Sequence, residues 1–258
     1  MPEKLVIATS GKGGVGKTTF IALLLKVLAD SGKNILVIDC DPAANLPDMI
    51  GISVMRKDTV GGKTAKLKEQ ISRGQIAPQM GKKEVLEKEI FDVLIETKNF
   101  DLLTMGCSEG PGCYCFANSL TTQILDTLSK NYDLTLMDME AGLEHLSRRT
   151  TRDVDVMVIV TDPSRMGLQT AKRIKELSKE VGIAFKRTYL VGNKFTPEMN
   201  DLLEETAQEM GVEFLGIIPL DEELAQYNLE GRSLFDLADE SPPVEAVRMM
   251  AKKMKLIA

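Results

Sequence analysis

The run Gly11-Lys12-Gly13-Gly14-Val15-Gly16-Lys17-Thr18-Thr19 constrains this chain more than any other stretch. It fits G-x-x-x-x-G-K-[ST], in which glycines turn the backbone so that successive N–H groups point at phosphate oxygens. Lys17 then supplies charge to the β- and γ-phosphates, and the Thr18 hydroxyl is placed to ligate Mg²⁺. Both flanks agree with that reading. Lys4-Leu5-Val6-Ile7-Ala8 is a short apolar run expected as a buried strand, and residues 20–28 are an apolar stretch of helix length whose N-terminal dipole favours an anion.

The rest of the chain repeats the rhythm. Apolar, β-branched runs at 34–39, 101–105, 133–138, 154–160, 188–191 and 214–218 alternate with stretches of helix length. That alternation predicts an α/β fold, a doubly wound, mostly parallel sheet with helices on both faces. Residues 1–258 are expected to form one domain, with a charged elaboration at about 53–100 that includes a helix from Lys83 to Thr97.

Charge and hydropathy exclude whole classes of function. A net charge of −6 argues against bulk nucleic-acid binding, which needs a basic face, and no run of eighteen apolar residues is present. No leader precedes the first strand, so the expected compartment is the cytoplasm. Four cysteines in 258 residues do not make a disulfide framework; packing, metal binding or redox chemistry remain for them.

Carboxylates at strand ends complete the expected nucleotide site. Asp39 and Asp41 leave the carboxyl end of the second expected strand, where open α/β sheets bind ligands, and Asp41 is the candidate to orient or deprotonate the attacking water. Asp138 ends the run Leu136-Met137-Asp138 in the Walker B arrangement, holding Mg²⁺ or its water, and Gly142 permits a mobile turn beyond it. Guanine readers use N-K-x-D. This chain has Asn193-Lys194-Phe195-Thr196, which favours adenine and hence ATP, with the Asn193 amide directed at the purine edge.

Lys12 is surplus to one phosphate site. A cation there is useful if a second subunit presents its own nucleotide across an interface, which predicts a homodimer with ATP at the seam. With this lysine the chain resembles the deviant Walker A ATPases, the group that includes nitrogenase iron protein, the septum-site ATPase MinD and several metallocentre maturation factors. The resemblance implies that Lys12 reaches across a nucleotide-bound dimer and that Asp41 lies in switch I. It also implies that 138–142 form switch II and that the backbone of Pro219-Leu220-Asp221 lies against the adenine ring.

Gly110-Pro111-Gly112-Cys113-Tyr114-Cys115 is the second chemical feature. A turn rich in Gly and Pro can bring both thiols onto one soft metal, and a twofold axis supplies the other two of four sulfurs. Those residues, Asn118-Ser119 and the segment Met137-Asp138-Met139-Glu140-Ala141-Gly142-Leu143-Glu144-His145-Leu146 resemble the CooC-type nickel-insertion ATPases. That family matures carbon monoxide dehydrogenase and acetyl-CoA synthase, so the resemblance implies ATP-dependent nickel delivery to a client nickel–iron–sulfur enzyme. Cys40 and Cys107 read as half-buried bystanders, with a transient ligand role also open to Cys107, and His145, the single histidine, as a metal, sensor or surface residue near a partner interface. Two other readings stay open: a MinD-like positioning ATPase using residues 244–258 on membranes, and an iron–sulfur carrier or electron-transfer ATPase with a cluster on the twofold axis.

Overall fold

The computed structural model describes residues 4–73, 91–106, 128–140, 154–180 and 182–258. Eight strands make one sheet: β1 (Leu5–Ser10), β2 (Ile35–Asp39), β3 (Ile95–Glu96), β4 (Asp101–Thr104), β5 (Leu134–Asp138), β6 (Val156–Thr161), β7 (Arg187–Phe195) and β8 (Glu213–Pro219). Their order is β3-β4-β2-β5-β1-β6-β7-β8, and every neighbouring pair is parallel except β3 with β4. The central strands are buried along their length, as strands covered on both faces must be. Alternate residues feed two separate apolar clusters, one holding Ile7, Val37 and Leu136, the other Ala8, Ile38 and Met137. This is the doubly wound sheet expected from the alternating pattern.

The helices among the described residues are α1 (Lys17–Leu28), α2 (Leu46–Met49), α3 (Val60–Ser72), α4 (Arg165–Glu180), α5 (Asn200–Met210), α6 (Glu222–Glu230) and α7 (Pro242–Lys253). In α1 the side chains of Phe20, Ile21, Leu23, Leu24, Leu25 and Leu28 are wholly buried, so the helix that opens at the phosphate loop is fixed deep in the core. Helix α7 packs on α1 and β8. Its apolar stripe, Val247, Met250 and Met254, is buried there, and Lys253 Nζ donates to the Leu215 carbonyl at 2.8 Å. The stripe that a membrane-binding terminal helix would need is therefore spent on the chain's own core. Among the described residues no helix is long and apolar enough to cross a membrane.

Two details differ from expectation around residues 53–100. Helix α3 forms across Gly61-Gly62, where no helix was anticipated; the Gly61 N–H donates to the Met105 carbonyl at 2.8 Å and ties the helix start to the end of β4. The helix expected to reach Thr97 does not: Ile95–Glu96 pair as an antiparallel edge strand. The reason is local turn chemistry. Thr97 Oγ1 accepts the N–H of Asn99 at 3.3 Å and of Phe100 at 3.1 Å, closing the chain back onto β4.

Candidate active site

The phosphate loop links β1 to α1 at the carboxyl edge of the sheet. Its shape requires glycine at two positions. A Cβ on Gly11 would stand 2.3 Å from the Val160 carbonyl of β6, and one on Gly16, whose φ is 95°, would stand 2.0 Å from Asn193 Nδ2. Asn193 explains the second contact: it is buried near the carboxyl end of β7 and donates to the Val15 carbonyl at 2.7 Å. The amide that sequence reasoning aimed at a purine edge thus clamps the loop from below, while the residue still lines the cleft above it.

Lys17 is 7% exposed, and its ammonium lies 3.5 Å from the Gly11 carbonyl and 3.4 Å from that of Lys12. Burial pushes its pKa down, opposed by the charges of Asp138, Asp41 and Glu140. A cation held on loop carbonyls is poised to move onto phosphate oxygens, which solvate it better. Lys12 is half-buried and is not among the residues that line the cleft.

Three carboxylates converge behind the loop because β2 and β5 pair in register, with Asp39 opposite Asp138. Asp138 Oδ2 accepts the Thr18 hydroxyl at 2.6 Å, and Oδ1 accepts that of Thr9 at 3.3 Å. Burial raises the Asp138 pKa to about 6, against the Thr18 hydrogen bond and Lys17, which lower it. Asp39 is wholly buried and accepts the Asp41 N–H at 3.0 Å and the Leu46 N–H at 3.1 Å. Burial, then the Asp138 charge, raises its pKa to about 8. It braces both ends of the loop carrying Asp41, whose carboxylate accepts the Ala43 N–H at 2.9 Å and faces the cleft. Between Asp39 and Asp41 the Cys40 thiol packs against the core, and burial pushes its pKa up, as suits an inert cysteine.

The Mg²⁺ assignment can be tested against these donors. Thr18 and Asp138 offer adjacent hard oxygens, and the cleft sets the carboxylates of Asp41, Asp48, Glu140 and Asp221 against the cations of Lys17, Lys194 and Arg232. A site so rich in acid accepts a polyphosphate readily only with a divalent cation between them. The residues fit Mg²⁺, which Thr18 and Asp138 would hold.

The cleft itself has a volume of about 640 Å³. Pro219, Leu220 and Asp221 form its wall beyond Asn193, with Asp221 capping α6 through the Leu224 N–H at 2.7 Å. Sequence reasoning missed the far wall: Asn45, Asp48 and Met49 around α2, Asn228 on α6, and Arg232, whose guanidinium lies 3.8 Å above the Tyr227 ring. It also missed Thr9 and Asp39 as braces. Only Asp39 left a sequence signal, being one of two acids at a strand end. Cys107, Cys113, Cys115, Gly142 and His145 lie outside the described residues.

The acid cluster has a measurable consequence. Both carboxylates titrate in the folded chain above their ordinary value of 3.8, so between about pH 4 and pH 8 the folded chain binds more protons than the unfolded one. Stability must therefore fall as pH rises across that window and level off above it. Thermal melts of the nucleotide-free chain should show midpoints declining from pH 6 to pH 8. Mg²⁺ with ADP should flatten the part due to Asp138. A nucleotide-free midpoint rising over the same range would contradict the arrangement.

Residues 6–234 match the CobQ/CobB/MinD/ParA nucleotide binding domain. An uncharacterized ATP-binding protein of Methanocaldococcus jannaschii is 46% identical over 250 residues, 97% of this chain and 98% of that one. The carbon monoxide dehydrogenase accessory protein CooC of Rhodospirillum rubrum is 32% identical over 244 residues, 90% of each chain. In fold, the chain is similar to the septum site-determining protein MinD of Pyrococcus horikoshii complexed with Mg-ADP, with a TM-score of 0.69 and 22% identity over 98% of this chain and 96% of that one. Phosphate loop, acid cluster and family match agree: the chain belongs to the CobQ/CobB/MinD/ParA nucleotide-binding family and is a P-loop ATPase.

Proposed function

We propose that this ATPase works as a homodimer that carries nickel on Cys113 and Cys115 and delivers it to a nickel–iron–sulfur enzyme of the carbon monoxide dehydrogenase or acetyl-CoA synthase type. The observation that carries the reading is the 32% identity to the accessory protein CooC across 90% of this chain, which includes the stretch that holds the C-x-C pair. ATP is taken up with its β- and γ-phosphates on the loop N–H groups and Lys17; Thr18 and Asp138 would hold Mg²⁺, which would supply charge neutralisation beside the acid cluster. Asp41, held by Asp39, orients the attacking water. Lys12 reaches the partner's nucleotide and draws two subunits together, so that two C-x-C pairs meet on the twofold axis. Switch II, which begins at Asp138, passes the state of the γ-phosphate toward that axis.

Burial of the α7 stripe weighs against the membrane-positioning reading, which needs that face exposed. The proposal is tested by metal content. Nickel or zinc should bind at one ion per two chains and be lost from Cys113→Ser and from Cys115→Ser, because a hydroxyl stays protonated near neutral pH and is a poor ligand for a soft metal. One ion per chain that survives both substitutions would move the metal elsewhere. An iron–sulfur chromophore after anaerobic purification would replace nickel carriage by the cluster-carrier reading.

A further inference from the structure

Thr104 ends β4 and carries a hydroxyl that this conformation does not use. The residue is 2% exposed, and among the described residues its Oγ1 is a buried oxygen with no hydrogen-bond partner. A buried hydroxyl left so costs stability, and native chains keep few of them. Ser31 and Ser241 share the condition, but they stand just beyond α1 and at the start of α7. Thr104 stands inside the sheet, paired in register with Asp39 of β2. Val37 and Leu102, two positions before each, feed the same apolar cluster, so Asp39 and Thr104 point to one face from strands about 4.8 Å apart.

The loop that leaves Asp39 carries a second cost. Ala44 has a φ of 53°, a left-handed conformation that a residue with a Cβ keeps only when its surroundings hold it there. What holds it is Asp39, which accepts the Asp41 N–H at one oxygen and the Leu46 N–H at the other, together with a turn in which the Ala44 N–H meets the Asp41 carbonyl at 2.9 Å. Asp41 also commits a carboxylate oxygen inside this loop, to the Ala43 N–H. An orphan hydroxyl on β4 and a strained residue in 41–46 thus flank one carboxyl group. A single motion relieves both.

We infer that Thr104 is a positioning residue for ATP hydrolysis, acting through Asp39. When nucleotide in the cleft draws residues 41–46 toward its phosphates, one of the two N–H groups leaves Asp39, Ala44 leaves the left-handed region, and the Thr104 hydroxyl bonds the oxygen given up. The N–H that remains keeps the loop tethered while it closes. A hydroxyl donates or accepts, so the exchange works whether or not Asp39 holds a proton. Closure then breaks one buried bond and makes another, where without Thr104 it would leave Asp39 short of a partner. The closed state is favoured by an interaction that the open one lacks, as a ligand-driven change requires. The inference deepens the reading of Asp41 as the residue held by Asp39 to orient water; its test reads binding and not turnover, so the two fail separately.

Thr104→Val keeps the shape of the side chain and removes the hydroxyl, and its two readouts should move apart. With the orphan hydroxyl gone, the melting midpoint of the full chain without nucleotide should hold or rise. Calorimetry with Mg²⁺ and a non-hydrolysable ATP analogue should show affinity lower by about fivefold or more, because the closed state loses the bond that the hydroxyl makes. Thr104→Ser keeps the hydroxyl and should bind the analogue as the unchanged protein does, whatever the missing methyl costs in midpoint. A merely structural side chain would lower midpoint and affinity together. Three results would each overturn the inference: a lowered midpoint in Thr104→Val, which would show the hydroxyl already bonded before nucleotide arrives; unchanged affinity in that variant; or an equal loss of affinity in Thr104→Ser.

Discussion

Replacing Lys17 with alanine should abolish nucleotide binding while leaving the fold intact. The ammonium is buried and rests on two loop carbonyls at 3.4 and 3.5 Å, long contacts that phosphate oxygens would replace with shorter, charge-assisted ones. Truncating one partner of such a buried pair costs about 2–5 kcal/mol, a loss of roughly thirtyfold to several thousandfold in affinity for ATP. In the nucleotide-free chain, by contrast, burial works against the charged lysine, as the direction of its pKa shift records. Removing it there relieves a desolvation cost. Calorimetry with Mg²⁺ and ATP, set beside a thermal melt, separates the two effects. Retained micromolar binding would mean that the loop amides alone carry the phosphates.

Asp41→Asn should do the opposite, keeping ATP and losing turnover. Asp41 faces the cleft from a loop braced at both ends by Asp39, and its backbone contacts do not depend on the carboxylate's charge. An amide cannot accept the proton of the attacking water, so the expected loss is about 10²–10⁴-fold in the hydrolytic rate with little change in ATP affinity. ATP should then accumulate on the protein, and the ATP-bound dimer with it. Single-turnover hydrolysis at the normal rate would remove Asp41 from the reaction and leave Glu140, the other carboxylate near Lys17 that lines the cleft, as the group to examine.

The parts of this architecture that follow a strict local rule were readable in the chain. The phosphate loop announces itself because only glycine tolerates the approach to Val160 and Asn193, and the parallel strands because both faces are covered and the apolar runs are unbroken. Asp138 was legible as the last residue of such a run. What escaped notice depends on contacts distant in sequence. Asn193 reads as a base-facing amide, and its second task, the bond to the Val15 carbonyl 178 positions away, shows only once β7 is laid beneath the loop. Thr9 becomes a brace only because β1 and β5 pair. Arg232 is an ordinary surface cation until Tyr227 stacks beneath it at the cleft. Helix α3 ran against propensity through Gly61-Gly62, since tertiary anchoring outweighed the local preference. At Thr97 it was the side-chain turn that overrode an expected helix.

The central claim, that nucleotide and metal act on one another through the dimer, is tested most directly by titrating nickel into the protein in three states. These are the nucleotide-free chain, the chain with Mg²⁺ and ADP, and the Asp41→Asn variant with Mg²⁺ and ATP. Coupling of the usual size, about 1–3 kcal/mol, predicts nickel affinities that differ by roughly five- to 150-fold between the ATP state and the nucleotide-free state, with a matching change in ATP affinity when nickel is present. Indistinguishable nickel affinities in all three states would leave an ATPase and a metal site on one chain without communication, and would contradict the delivery mechanism.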